Sequence, residues 1–293
     1  MNVIKINNLT KSYGKSRGIN HINLEVREGE IFGFIGPNGA GKSTTIKTLL
    51  NLIFPTSGSA TIFGMDVCSE SHKIKKSIGY VPSEVNYYSE VKVKDIIAYA
   101  ESFYPGVDKE NTKRICRELE LDMEKRMDEL SLGNKKKVAI AQALISSPKL
   151  LILDEAANGL DPLMQKKLFE ILLKEKEKGV TIFLSSHNLV EVEKFCDRVA
   201  VIKEGEIVEV LDISNLDKKL GLKVTIEGSC ITDLKPLADK IIHSSDNEIK
   251  FMYKGNINEL IKALQPLALD KLLIEEENLE DSFLSYYDEK AGE

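Results

Sequence analysis

The stretch Ile31-Phe32-Gly33-Phe34-Ile35 is a short apolar strand pattern, and GPNGAGKSTT follows it directly. Gly36, Gly39, Gly41, Lys42 and Ser43 fit G-x-x-x-x-G-K-[ST], and a helical pattern over 43–52 comes next. Strand, glycine-rich loop and helix, in that order, is the context in which this motif folds into a phosphate cradle. Its glycines let successive backbone N–H groups close around phosphate oxygens. The Lys42 ammonium supplies a point charge toward the β and γ phosphates, and the Ser43 hydroxyl can ligate Mg²⁺. The whole run from Gly36 through Pro37, Asn38, Gly39, Ala40, Gly41, Lys42 and Ser43 to Thr44 is therefore the expected nucleotide contact.

Short apolar runs recur at 3–6, 22–26, 31–35, 60–63, 78–81, 150–153, 180–184, 199–202 and 207–211. Amphipathic helical patterns lie between several of them, near 43–52, 94–103, 109–120, 134–146, 163–178 and 188–196. Strands alternating with helices imply an α/β sheet with parallel strands. The early part, up to about Ser59, reads as two hairpin-like pieces, the second hinged at Arg27-Glu28-Gly29-Glu30. Residues 85–146 have hardly any strand signal and should form a helical insertion. A first domain over 1–212 is expected. After the turn-rich Asp212–Asp217, residues 215–293 read as β-α-β-β-α-β, the order of a small ferredoxin-like α+β sandwich.

The run Leu150-Leu151-Ile152-Leu153 is continuously apolar, as in a strand covered on both faces, and it ends in Asp154-Glu155. A carboxylate at such a strand end can hold Mg²⁺ through its water shell, and Glu155 is placed to polarise an attacking water. Another strand pattern, Val180–Leu184, ends in Ser185-Ser186-His187. His187 thereby sits on the sheet edge where α/β folds bind ligands, with a role near the γ-phosphate. In LSLGNKKKVAIAQAL, residues 130–144, a serine and a glycine lead into a helix whose first turn suits an anion. The lysines 135–137 within it read as a solvated helix face.

A formal net charge of −6 over 293 residues argues against nonspecific nucleic-acid binding, which draws on phosphate neutralisation. No run approaches the roughly 20 apolar residues that span a bilayer. The N-terminal MNVIKINNLTKSYG lacks a signal-peptide core, and the four cysteines form no CxxC pair. These features suggest a reduced, cytoplasmic protein that would serve a membrane only through a partner.

The P-loop, LSLGN, LLILDE, NGLD and SSH occur in one order at coherent spacing. Together they resemble the nucleotide-binding subunit of an ABC transporter over roughly residues 1–212, with LSLGN in place of that family's LSGGQ signature. EVEKFCDRV after His187 and the separate C-terminal unit look most like ATPase subunits of ABC-2 type exporters of the drug and antimicrobial-peptide resistance group. The resemblance implies a P-loop NTPase fold with an ABC-type β-subdomain and the helical insertion. It implies ATP hydrolysis with Mg²⁺ by a homodimer, or a pairing with a homologous ATPase subunit. Each ATP would lie between one subunit's P-loop and the other's signature helix. A separate permease would hold the subunit on the cytoplasmic face of the membrane.

By the same resemblance Ser131 and the Gly133 N–H meet the partner's γ-phosphate, Tyr13 stacks on adenine, and Asp161 touches the opposite subunit. Lys42 binds phosphate, Asp154 holds metal, Glu155 is the base, and His187 senses the γ-phosphate. Three departures stand out. Ser83 replaces the glutamine that reaches toward Mg²⁺ in the family. Leu132 and Asn134 alter the signature, and Ala156-Ala157 replaces Pro-Thr. Since Lys42, Asp154 and Glu155 are all present, hydrolysis is expected. Closure would be relayed through the insertion near Tyr87 and Tyr88. The alternatives are an ABC-type ATPase not tied to transport and a weakly hydrolysing regulatory nucleotide-binding module.

Overall fold

A computed structural model describes residues 1–14, 16–213, 221–228, 236–245 and 247–276. The chain divides into two compact units, Met1–Leu211 and Asp212–Glu293.

The first unit contains an antiparallel sheet and a largely parallel one. Strands β1 (Asn2–Tyr13) and β2 (Ser16–Arg27) form a hairpin, and β4 (Ser57–Ile62) and β5 (Met65–Asp66) complete a sheet of order β2-β1-β4-β5. The second sheet has order β10-β9-β3-β8-β7-β6. Its members are β3 (Ile31–Ile35), β6 (Ile78–Val81), β7 (Leu150–Asp154), β8 (Thr181–Ser186), β9 (Arg198–Lys203) and β10 (Glu206–Asp212). Strands β6, β7, β8, β3 and β9 are mutually parallel.

Burial explains why these segments sort into different sheets. All five residues of β3 and of β7 are buried, as in strands covered on both faces. By contrast β2 alternates, with Ile22, Leu24 and Val26 inward and their neighbours exposed. Consequently the expected hairpin at Arg27–Glu30 does not form. The turn instead carries the chain from the antiparallel sheet into the parallel one, where β3 pairs with β8 and β9. Glu30 secures this crossing by accepting from Arg27 N and pairing with Arg198 at 3.0 Å.

The helical insertion comprises α3 (Val93–Ser102), α4 (Lys109–Glu118) and α5 (Leu132–Ile145), with α3 and α4 packed on α5 and α5 on β6. Gly79 permits that last contact, since a Cβ there would lie 2.2 Å from the Ala143 carbonyl oxygen. The remaining helices of this unit are α1 (Lys42–Leu49), α2 (Ser71–Ile74), α6 (Pro162–Glu177) and α7 (Leu189–Phe195).

In the second unit, β11 (Leu222–Gly228), β12 (Lys240–Ser244), β13 (Glu248–Tyr253) and β14 (Leu269–Glu276) form an antiparallel sheet of order β12-β13-β11-β14. Helix α8 (Ile257–Leu264) buries Leu260 and Leu264 in a core with Val224, Ile226, Ile249 and Phe251. This is the strand order expected of the ferredoxin-like sandwich. Of the helix expected over 232–240, residues 232–235 lie outside the described residues, and the rest forms a short turn that leads into β12 at Lys240 rather than an α-helix.

Phe183 lies at the centre of the first unit's core, stacked on Phe32 at 5.9 Å and tilted against Phe34 at 5.3 Å. Phe183→Ala should cost about 3–5 kcal/mol of stability, read as a lowered midpoint in chemical denaturation.

Candidate nucleotide site

The parallel register decides which residues meet. Phe34 and Asp154 both lie opposite Ser185 on β8, from its two sides. The loop that begins at Gly36 therefore opens beside the acidic end of β7. Gly39 and Gly41 take positive φ values of 81° and 113°, conformations in which side chains other than glycine are strained. A Cβ on Gly36 would lie 2.3 Å from the Ile202 carbonyl oxygen, so this glycine is fixed by packing as well. Gly41 is the N-cap of α1, which puts free N–H groups and the helix dipole at the cradle floor. Pro37, Asn38 and Gly39 are exposed at its rim, while Ala40 is buried beneath.

Lys42 is buried, and its ammonium donates to the carbonyls of Gly36 at 2.7 Å and Pro37 at 3.1 Å. It also pairs with Glu155 Oε1 at 3.2 Å. Asp154 is fully buried; its Oδ1 accepts from Ser185 Oγ at 2.8 Å and from Ser43 Oγ at 3.2 Å. Asp154 Oδ2, by contrast, is buried without a hydrogen-bond partner. Nearby Tyr80 has its phenol pushed up to about 12, mainly by burial and further by the Asp154 charge.

Glu155 is held in the left-handed region at φ 50°, with its N–H bonded to the Ser185 carbonyl and hydroxyl. Such a conformation is uncommon for a residue with a Cβ and marks a position over-determined by its surroundings. Asn158 Nδ2 donates to Glu155 Oε2 at 2.7 Å, and His187 Nδ1 stands 3.9 Å from Oε1. The carboxylate is thus aimed by two neighbours toward the lysine. Ser43 and Asp154 are the pair that could hold a divalent cation, since the orphaned Oδ2 supplies an unused acceptor beside a hydroxyl. Among the described residues, no group of three or more His, Cys, Asp or Glu side chains is arranged to hold a metal ion. A cation there would need oxygens from elsewhere, as magnesium commonly draws them from substrate phosphates and water.

A second cluster gathers Ser131, Gly133 and Asp161. Ser131 is the N-cap of α5, accepting from Asn134 N at 3.3 Å. Asp161 caps α6 in the same way, accepting from Met164 N at 3.0 Å, with Pro162 in the first turn. Gly133 lies against the NGLD turn, where a Cβ would meet the Gly159 carbonyl oxygen at 2.6 Å. Among the described residues, no hydrogen bond or ion pair joins this cluster to the P-loop one. Tyr13 stands separately at the end of β1, half-exposed, with Lys11 Nζ 5.3 Å from its ring centroid.

The lysines 135–137 do not form a solvated face. Lys136 and Lys137 are buried, and Lys136 Nζ donates to the Ser83 carbonyl at 2.7 Å. Their position follows from helical spacing: 136, 139, 140 and 143 share one side of α5, and all four are buried. Tyr87 and Tyr88 also differ. Tyr87 is part-buried and donates to Gln142 Oε1 at 2.6 Å, whereas Tyr88 is exposed. Burial drives the Tyr87 phenol well above its ordinary range. Ser185 and Asn158 went unrecognised in the sequence, although Ser185 opens the SSH string at a strand end.

A sequence profile of the ABC transporter family matches residues 19–158. The bacitracin transport ATP-binding protein BcrA of Bacillus licheniformis is 33% identical over 295 residues, covering 96% of each chain. This chain belongs to the ABC transporter family. Among solved structures, an ATP-binding subunit of an ABC transporter matches with a TM-score of 0.68 at 29% identity, covering 74% of this chain and 92% of that one. The dimeric ATP-binding cassette MJ0796, in a post-hydrolysis state bound to ADP and Pi, matches with a TM-score of 0.64 at 26% identity, covering 72% and 98%. The protein is therefore an ATP-hydrolysing subunit of the ABC transporter family. Among its described residues no helix is long and apolar enough to cross a membrane.

Ser185 is the hinge of this ABC site, because one hydroxyl serves both Asp154 and the Glu155 backbone. Ser185→Ala should lower ATP turnover about tenfold and stability by about 1 kcal/mol, checked by steady-state hydrolysis and denaturation of the same preparation.

Proposed function

We propose that this subunit powers export of drug or antimicrobial-peptide-like molecules, seated on the cytoplasmic face of the membrane through its permease. The full-length relatedness to BcrA supports the exporter reading, since it extends over the C-terminal unit as well as the cassette. A second relative of the same span, the linearmycin resistance ATP-binding protein LnrL of Bacillus subtilis, points the same way, at 30% identity over 303 residues.

The single observation that carries the mechanism is the contact of Lys42 with Glu155 at 3.2 Å beside the unpartnered Asp154 Oδ2. Lys42 and the loop amides bind the phosphates, and Ser43 with Asp154 positions Mg²⁺. Magnesium bound there would neutralise charge on the β and γ phosphates. When phosphate oxygens take up the Lys42 ammonium, Glu155 loses that ion pair and becomes free to accept a proton from water. Asn158 keeps the other carboxylate oxygen fixed during this exchange. His187 would supply a hydrogen bond near the γ-phosphate, and Ser83, whose carbonyl accepts from Lys136 at 2.7 Å, would approach the metal from its loop. From the opposite subunit, Ser131 and the Gly133 amide complete the phosphate cage, while Asp161 contacts across the interface. Tyr13 covers the adenine.

Closure reaches the permease through the helical insertion. A cleft of about 500 Å³, lined by Leu52, Tyr80, Pro82, Tyr87, Tyr104 and Gln142 among others, opens where β6 and α5 meet. It offers a permease segment apolar contact, with the exposed Tyr88 following Tyr87 in sequence.

Glu155→Gln should reduce phosphate release at least about a hundredfold while retaining ATP binding. With MgATP the variant should run as a dimer in size-exclusion chromatography with light scattering; a persistent monomer, alone and with its permease, would refute the shared-site reading. Tyr88→Ala should leave hydrolysis by the isolated subunit within about twofold of the parent, since an exposed side chain contributes little to the fold. The same change should reduce recovery of the permease in pull-downs from native membranes.

A further inference from the structure

Lys136 is a buried ammonium on a helix outside the parallel sheet, yet it faces the chemistry at the strand ends. An ammonium carries three donors, and among the described residues Lys136 uses one, toward the Ser83 carbonyl. A neutral carbonyl alone does not offset the desolvation of an ion. The register of β6 on β7, with Val81 opposite Leu153, carries the Ser83 loop out beside the Asp154-Glu155 end of β7. The negative charge of those two carboxylates acts on Lys136 against the effect of burial. Asp154 has an oxygen that is buried and unpartnered. A buried cation with spare donors, supplied by α5, therefore stands at the same end of the sheet as the two carboxylates that close β7.

We propose that Lys136 is a positioning residue for hydrolysis: anchored on the Ser83 carbonyl, it opposes the charge of Asp154 and Glu155 from the insertion side, holding both carboxylates in place while weakening capture of a divalent cation. The inference rests on the assignment of Asp154 to the metal and Glu155 to the base. Its consequence is a split between two quantities. A divalent cation arriving at Asp154 is repelled by Lys136, and at reduced effective dielectric that repulsion is substantial. Removing the charge while keeping the side chain's length therefore favours the metal, yet it leaves the carboxylates and the Ser83 loop without their brace. A residue that served only the packing of α5 would not produce opposite changes.

The test uses the full chain with a non-hydrolysable ATP analogue and Mn²⁺ as the probe, read by electron paramagnetic resonance. In Lys136→Met and Lys136→Gln, Mn²⁺ affinity should rise by about three- to tenfold, from the loss of like-charge repulsion. In parallel assays with ATP, kcat should fall about tenfold and KM should stay within about twofold. Lys136→Arg keeps the charge and should hold Mn²⁺ affinity within about twofold of the parent. Unchanged or weakened Mn²⁺ affinity in both the Met and Gln variants overturns the proposal, whatever happens to turnover. Asp154→Asn reports on the underlying assignment separately. Loss of Mn²⁺ affinity there upholds the metal role of Asp154, so a failure at Lys136 then counts against Lys136 alone; retained affinity removes the basis of both.

Discussion

The site depends on the register between β3, β8 and β7. Because Phe34 and Asp154 both sit opposite Ser185, the chain leaves β3 into the glycine loop at the level where β7 becomes acidic. A register slip by one residue would send Asp154 to the other face of the sheet and bring an aliphatic side chain to Ser43. The slip is opposed by the core itself. Phe32, Phe34 and Phe183 interlock across β3 and β8, and Ile152 is buried in the same cluster. Apolar packing with no chemistry of its own thus sets the distance between a hydroxyl and a carboxylate.

That placement concentrates charge where water is scarce. Lys42, Lys136 and Asp154 are buried, and Glu155 is largely so. Each charge would be expensive alone, and the cluster persists because cations and carboxylates face one another. The pairing is incomplete, however. Asp154 Oδ2 lacks a donor, and Glu155 adopts an unfavourable backbone conformation. The unpartnered oxygen is the cost that a bound cation would relieve, and the proposed metal role of Asp154 draws on it.

Much of this was legible from residue order, for reasons that are local. A strand, a glycine loop and a helix declare themselves within a few residues, and so does an apolar strand that ends in two carboxylates. The turn at Arg27–Glu30 closes no hairpin because turn residues fix the reversal but not the partner. The pattern on either side held the missing information: alternation through Ile22, Leu24 and Val26 marks a strand covered on one face, while five consecutive buried residues in β3 mark one covered on both. Three lysines in a row suggest solvent by composition, yet Lys136 is buried. Helical spacing aligned it with Ala139, Ile140 and Ala143, and that geometry outweighs the hydrophilicity of the side chain. Ser185 and Asn158 could not be found in this way, because their roles arise from neighbours in space.

The same helix explains why a subunit of this kind has use for a partner. A helix N-terminus favours negative charge, yet the first turn of α5 carries no acidic residue, and lysines begin at position 135. Ser131 satisfies only one of the free N–H groups, with its own hydroxyl. Gly133 is pressed against Gly159, which leaves no room for a side chain there and keeps the local backbone bare. Positive potential and open amides are thus maintained at a point that no hydrogen bond or ion pair among the described residues connects to the P-loop of the same chain. Within one subunit this arrangement is only a cost. In the proposed shared site it would face the phosphates held by another subunit's Lys42, and the nucleotide would offset in the dimer a cost that each monomer retains when alone.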